Sequence, residues 1–168
     1  SADNNTAVGF GAGGAITTGG ANTLIGYNTG GALTEGGYST FIGHGAGDGH
    51  DTETSNIGIG FEALGGPIAG AENCVAVGIY ALDALTSGDS NHALGYPALT
   101  ACADGELNNA FGDRALAAVV GGDKNVGVGQ QAGFAITSGS NNICIGFDSG
   151  RSSSPSGNIT TASNQLCL

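Results

Sequence analysis

A glycine returns every seventeen residues along this chain, and that period limits the possible folds more than any other feature. It closes an Asn-x-x-x-Gly core first seen at Asn5-Thr6-Ala7-Val8-Gly9 and again at Asn22-Thr23-Leu24-Ile25-Gly26. The repeat glycines are Gly9, Gly26, Gly43, Gly60, Gly78, Gly95, Gly112, Gly129 and Gly146, spaced by 17 residues except for one step of 18. The extra residue is expected between Gly70 and Gly78, in a turn or bulge. A unit this short cannot bury an apolar face alone, whereas stacked units can share one core and pair each strand with the next rung. The fold class that follows is all-β, a parallel β-solenoid or β-roll of about nine rungs. Strands about 4.8 Å apart make it roughly 40 Å long.

Each place in the repeat has its own requirement. The residue before the glycine is Val8, Ile25, Ile42, Ile59, Val77, Leu94, Phe111, Val128 or Ile145. All are apolar and most are β-branched, so this column is expected to face the core. Three places after the glycine every residue is small, from Ala12 to Ser149, which implies close packing. Ten places after, glycine dominates and suggests a second turn. Four places before, Asn or Ser fills every rung but one, where Cys74 stands, and is expected to cap a turn. The segments Tyr80–Leu85 and Arg114–Val119 lack Gly and Pro, so short helical turns are an alternative to strand there.

Two columns trade volume. Two places before the glycine, Leu24, Phe41 and Cys144 accompany Gly30, Gly47 and Gly150 four places after it. In the middle rungs Gly58, Ala76, Ala93 and Ala110 accompany Leu64, Leu82, Leu99 and Leu116. Close packing predicts such an exchange if both columns fill one space. After residue 150 the rhythm breaks. Residues 152–157 read as an irregular loop. Residues 151–168 are therefore set apart from the solenoid of residues 1–150, as an irregular tail in which Asn164-Gln165-Leu166-Cys167-Leu168 begins a tenth rung. With no initial Met and a stop within a repeat, the chain is expected to be a processed product or an excerpt, with neighbours that cover its open ends.

Composition narrows the function. Only 10% of the residues are charged against 40% hydrophobic, a balance unlike that of disordered chains. Net charge is −11, with Arg114, Lys124 and Arg151 the sole fixed cations, so nucleic acid is not an expected partner. No apolar run approaches the roughly 20 residues of a membrane-spanning helix, so no membrane insertion is expected.

The run from Asn5 through Gly19 to Gly26 resembles a repeat of bacteriophage tail fibres and bacterial surface fibres. It is similar, more loosely, to the shorter Asn-Ser-Val-Ala-Ile-Gly repeat in the heads of YadA-type trimeric adhesins. The resemblance covers residues 4–150. It implies a homotrimer of parallel β-rolls in an extracellular or virion fibre, and often a C-terminal self-cleaving chaperone domain, none of which lies within these 168 residues.

Sites are sparse. His44, Asp48, His50 and Asp51 gather imidazoles and carboxylates that could ligate a metal, but their spacing matches no recognised pattern. A polar loop is the simpler reading. There is no Gly-x-Ser-x-Gly elbow and no H-E-x-x-H, and no cofactor is expected. Cys144 and Cys167 fall at the same place in neighbouring rungs and form a candidate disulfide pair. Phe10, Tyr27, Phe61, Tyr96 and Phe147 share the column just after the glycine. They suit either sugar stacking or packing in a core or interface. The expectation is a non-enzymatic, structural or adhesive fibre segment that forms homo-oligomers and spaces or presents a tip for a host-surface glycan or protein. A self-assembling filament subunit and a polysaccharide-degrading spike are the alternatives.

Overall fold

The computed structural model describes residues 2–151 and 157–168. Ten short strands stack in chain order into one parallel sheet: β1 (Thr6–Val8), β2 (Thr23–Ile25), β3 (Thr40–Ile42), β4 (Ile57–Ile59), β5 (Val75–Val77), β6 (His92–Leu94), β7 (Asn109–Phe111), β8 (Val126–Val128), β9 (Ile143–Ile145) and β10 (Leu166–Cys167). Register is one full repeat throughout, so Thr23 faces Thr40 and Ala93 faces Ala110. The chain is a β-solenoid, and equivalent places of successive repeats stack in columns.

The repeat glycines are required twice over. Gly95 has φ +139°, outside the range of residues with a side chain, and a Cβ there would lie 2.5 Å from the carbonyl oxygen of Gly112 in the next rung. The same contact recurs from Gly9 to Gly129. Each rung's backbone thus rests on the next through its glycine.

Strand parity corrects one expectation. The inward-facing strand residue lies two places before the glycine, not one. Leu24, Phe41, Ala76, Ala110, Cys144 and Cys167 are fully buried. Val8, Ile25, Leu94, Phe111, Val128 and Ile145 are exposed, and Ile42, Ile59 and Val77 are half-buried. Successive strand residues point to opposite faces, so the two adjacent places cannot both enter the core. The narrow coil takes mostly Ala, Gly or Cys at its centre, with one Leu and one Phe, and the β-branched column is left outside.

The same parity buries the Asn column, which builds a ladder rather than a surface cap. Asn108 Nδ2 donates to the Gly122 carbonyl at 2.7 Å, across its own rung. Its Oδ1 accepts the backbone N–H of Asn125 at 2.9 Å, in the next rung. Asn5, Asn22, Asn56, Asn91, Asn125 and Asn142 repeat the cross-rung bond. The residue before this place supplies the left-handed turn, as at Leu107 (φ 59°) and Lys124 (φ 57°) before Asn and at Tyr38 (φ 59°) before Ser39.

The second half of each rung is not helical, and there is no helix among the described residues. Tyr80 (φ 56°), Leu82 (φ 53°), Arg114 (φ 56°) and Leu116 (φ 50°) are left-handed, which a right-handed helix cannot accommodate. This backbone bonds between rungs instead. Leu82 N–H donates to the Ala98 carbonyl, and Leu99 N–H to the Ala115 carbonyl. Local helix propensity yields here to the inter-rung ladder.

The volume-trading columns do fill one space. A Cβ on Gly47 would lie 2.5 Å from the Phe41 ring, one on Gly30 3.0 Å from Leu24, and one on Gly150 3.0 Å from Cys144 Sγ. Rungs that are small at both places borrow from a neighbour: Leu116 fills the space against Gly127 and Gly133, and Leu24 leans towards Gly13. A third core column lies seven places after the glycine, with Leu33, Leu85, Cys102, Val119 and Ile136 buried along it.

The single-residue slip lies earlier than expected. Ile68 N–H bonds back to the Gly66 carbonyl around Pro67, and Asn56 then reaches the Ala71 carbonyl in place of Gly70. The extra residue is therefore absorbed before Gly70. The predicted irregular tail also narrows. Its loop at residues 152–156 lies outside the described residues, but Thr137 pairs with Thr160 and Ser140 with Ser163, 23 residues away. The ninth rung therefore carries six additional residues and then resumes its register. Arg151 anchors that insertion, with Nη1 2.6 Å from Gln131 Oε1 and 2.8 Å from Asp148, and its guanidinium 5.0 Å from the Phe134 ring centre. The expected tenth rung follows as β10, paired in register with β9.

Candidate interaction face

The outward side of the sheet is the most distinctive surface of the molecule. Three columns stand on it: the strand's first residue, the β-branched residue before the glycine, and the residue just after the glycine. The last column is an aromatic stack over four rungs. Phe10 and Tyr27 lie 5.7 Å apart at 14°, Tyr27 and His44 5.0 Å at 18°, and His44 and Phe61 5.1 Å at 20°. The inner rings stack on one another and so have fewer free faces for a sugar, whereas Phe10 at the end of the stack is 80% exposed. Further along, Ile79, Tyr96 and Phe147 continue the exposed apolar line.

The face is also nearly free of charge. Of the fourteen acidic residues only Asp113 stands on it, bonded to Gln130 of the next rung at 3.2 Å, and none of the three cations does. The other acids lie on the turns, where several have a structural task. Asp89 accepts the Glu72 backbone N–H at 2.8 Å, and Asp123 accepts that of Glu106 at 3.0 Å. Glu53 takes the place of a turn glycine, and its carboxylate accepts the N–H groups of Asp51, Thr52 and Gly70. Spacing alone did not reveal these caps, although an acid six places before the glycine in four successive rungs (Glu72, Asp89, Glu106, Asp123) was legible in hindsight.

Height of about 40 Å and width of about 13 Å, for the four steps of extended chain between the outer columns, make the face roughly 500 Å² in projection. The largest apolar patch on an ordinary monomer is about 300–600 Å². Two such faces together reach the roughly 1,000 Å² that a specific interface needs.

The candidate metal residues are scattered. His44 belongs to the outer aromatic stack, whereas His50 is fully buried in the third core column, its ring 4.7 Å from Phe41 at 54°. Asp51 is exposed, and Asp48 is half-buried with its carboxyl pushed up by burial and by Glu62. No group of three or more metal-ligating side chains occurs among the described residues. The physical reason is the turn between them: it carries His50 into the coil while His44 stays outside, and a histidine inside and one outside cannot share an ion. Neither nitrogen of His50 has a hydrogen-bond partner, and burial lowers its pKa to about 4.

A shallow groove of about 360 Å³ lies on the flank of the first rungs, lined by Asp3, Thr18, Glu35, Tyr38 and Thr54 among others. It is separate from the apolar face. Cys144 and Cys167 are in-register partners across β9 and β10, both buried and both free thiols. Cys74 and Cys102 are also buried and free. No helix among the described residues is long and apolar enough to cross a membrane. Compared with models of known families, with curated proteins and with solved structures, the chain matches none.

Proposed function

We propose that the chain is a rigid, non-enzymatic segment of an extracellular or virion fibre, in which identical copies pack together through the outward sheet face. One observation carries this reading: a charge-poor apolar face along the whole solenoid, on a chain of net charge −11. Exposed alone, it would favour uncontrolled association. A second copy suits it because the knobs of one face recur at the rung spacing of the other. The resemblance to tail-fibre and adhesin repeats makes three the expected number of copies. The role of such a segment is to hold a tip away from a base, with contact to a host-surface glycan or protein left to exposed turns.

Sedimentation equilibrium of the chain across micromolar concentrations tests the reading. A discrete species of about three chain masses supports it. A monomer of 16.1 kDa at all concentrations overturns it, and long polymers in electron micrographs favour a self-assembling filament instead.

A further inference from the structure

We propose that Cys144 and Cys167 are a disulfide site that locks the terminal rung onto the solenoid in an oxidising medium. The register of β9 and β10 places the two residues directly opposite each other, and both side chains point into the same closed interior. Neighbouring parallel strands hold their Cα atoms about 4.8 Å apart, within the roughly 4.4–6.8 Å that disulfides span. Their Cβ atoms stay about as far apart, slightly beyond the usual 3.5–4.5 Å, so one strand must shift a little. The two-residue strand β10, in which Cys167 lies between exposed Leu166 and Leu168, is the one that can yield.

The place matters mechanically. Between the two cysteines lies the rung with six added residues, so β10 is tied to the sheet across a connection in which equivalent places are 23 residues apart. A bond there closes that loop and holds the last rung in register. The other two cysteines provide an internal contrast. Cys74 stands in the Asn ladder of the fifth rung and Cys102 in the third core column of the sixth, at different places in the repeat.

Two thiols and one small-molecule disulfide, such as oxidised glutathione, balance the reaction. One cysteine loses its proton and attacks the oxidant, releasing a first reduced thiol. The second cysteine then attacks the mixed disulfide, a sulfur–sulfur bond forms within the chain, and a second reduced thiol leaves. Burial and the neighbouring Cys167 push the Cys144 thiol up to about 12, so attack awaits an opening of β10. Oxidation is therefore expected to be slow in the closed state, and persistent once complete.

The test is a tryptic map. Folded protein is incubated with oxidised glutathione, blocked with iodoacetamide in denaturant and digested without reductant. Cleavage after Arg114, Lys124 and Arg151 puts Cys144 on the 125–151 peptide, Cys167 on the 152–168 peptide, and Cys74 and Cys102 together on 1–114. The expected result is one linked species of 125–151 with 152–168, from protein that migrates as a single chain in denaturing, non-reducing gels. It should be absent in Cys167→Ser, whose retained circular dichroism shows that the variant folds. Recovery of 152–168 with alkylated Cys167, a glutathione adduct that never resolves, or a link between two chains would each overturn the proposal.

Discussion

At the scale of single residues, two side-chain types do most of the structural work: a glycine that only glycine can replace, and an asparagine that bonds in two directions. Replacing Gly95 with Ala must both adopt an unfavourable φ and push against the Gly112 carbonyl. A loss of at least about 3 kcal/mol in a urea melt is expected. Replacing Asn108 with Ala leaves the Gly122 carbonyl and the Asn125 N–H buried without their partner, at a cost of about 2–4 kcal/mol by the same measurement. The converse change is informative too. Cys74 interrupts the ladder, and its thiol makes only long contacts of 3.4 Å to the Glu72 and Gly88 carbonyls. Cys74→Asn is expected to raise stability by about 1 kcal/mol. His50 sets a pH limit. Its pKa falls from 6.5 in the unfolded chain to about 4 in the fold because burial disfavours the charged ring, with Glu53 opposing the shift. The folded state therefore binds fewer protons than the unfolded state between those values. Stability is full above pH 6.5 and declines by up to about 3 kcal/mol as pH falls towards 4. Thermal melts of His50→Leu, which matches Leu33 and Leu85 in the same column, should lose this part of the pH dependence while those of the parent keep it.

At the scale of elements, the strand and its turns show what a sequence of this kind reveals. The period, the parallel in-register sheet and the tenth rung were legible because like residues recur at fixed spacing. The direction of the strand was not, because apolar residues occupy both the place before the repeat glycine and the place before that. The needed signal was nevertheless present. Leu24 and Phe41 exchange volume with Gly30 and Gly47, which requires their column to face inward. Parity then sends Ile25 and Ile42 outward, together with Thr23 and Thr40, and brings Asn22 inside. The turn segments were misleading for another reason. Ala and Leu favour helix in isolation, but Leu82, Leu99 and Leu116 are held left-handed by bonds to the next rung and by burial of their side chains. No local propensity encodes that. The weak metal candidates were ambiguous for a similar reason, since neighbouring positions on a loop said nothing of which residue, here His50, would enter the coil.

At the scale of the whole molecule, the outward column gives the chain its prospective function. Its β-branched residues are superfluous to the core of one solenoid and therefore call for another explanation. The proposed association through the sheet face would supply it, leaving the acidic turns at the margins, where their charge would keep assemblies soluble and repel disordered contacts. The most direct test is the double substitution Leu94→Lys with Phe111→Lys, followed by sedimentation and far-ultraviolet circular dichroism. Both side chains are about half exposed on adjacent rungs, at 46% and 42%. The account predicts that the solenoid spectrum is retained while the assembly dissociates to single chains of 16.1 kDa. An unchanged assembly would contradict the proposed interface, and an unfolded chain would show that this column belongs to the core after all.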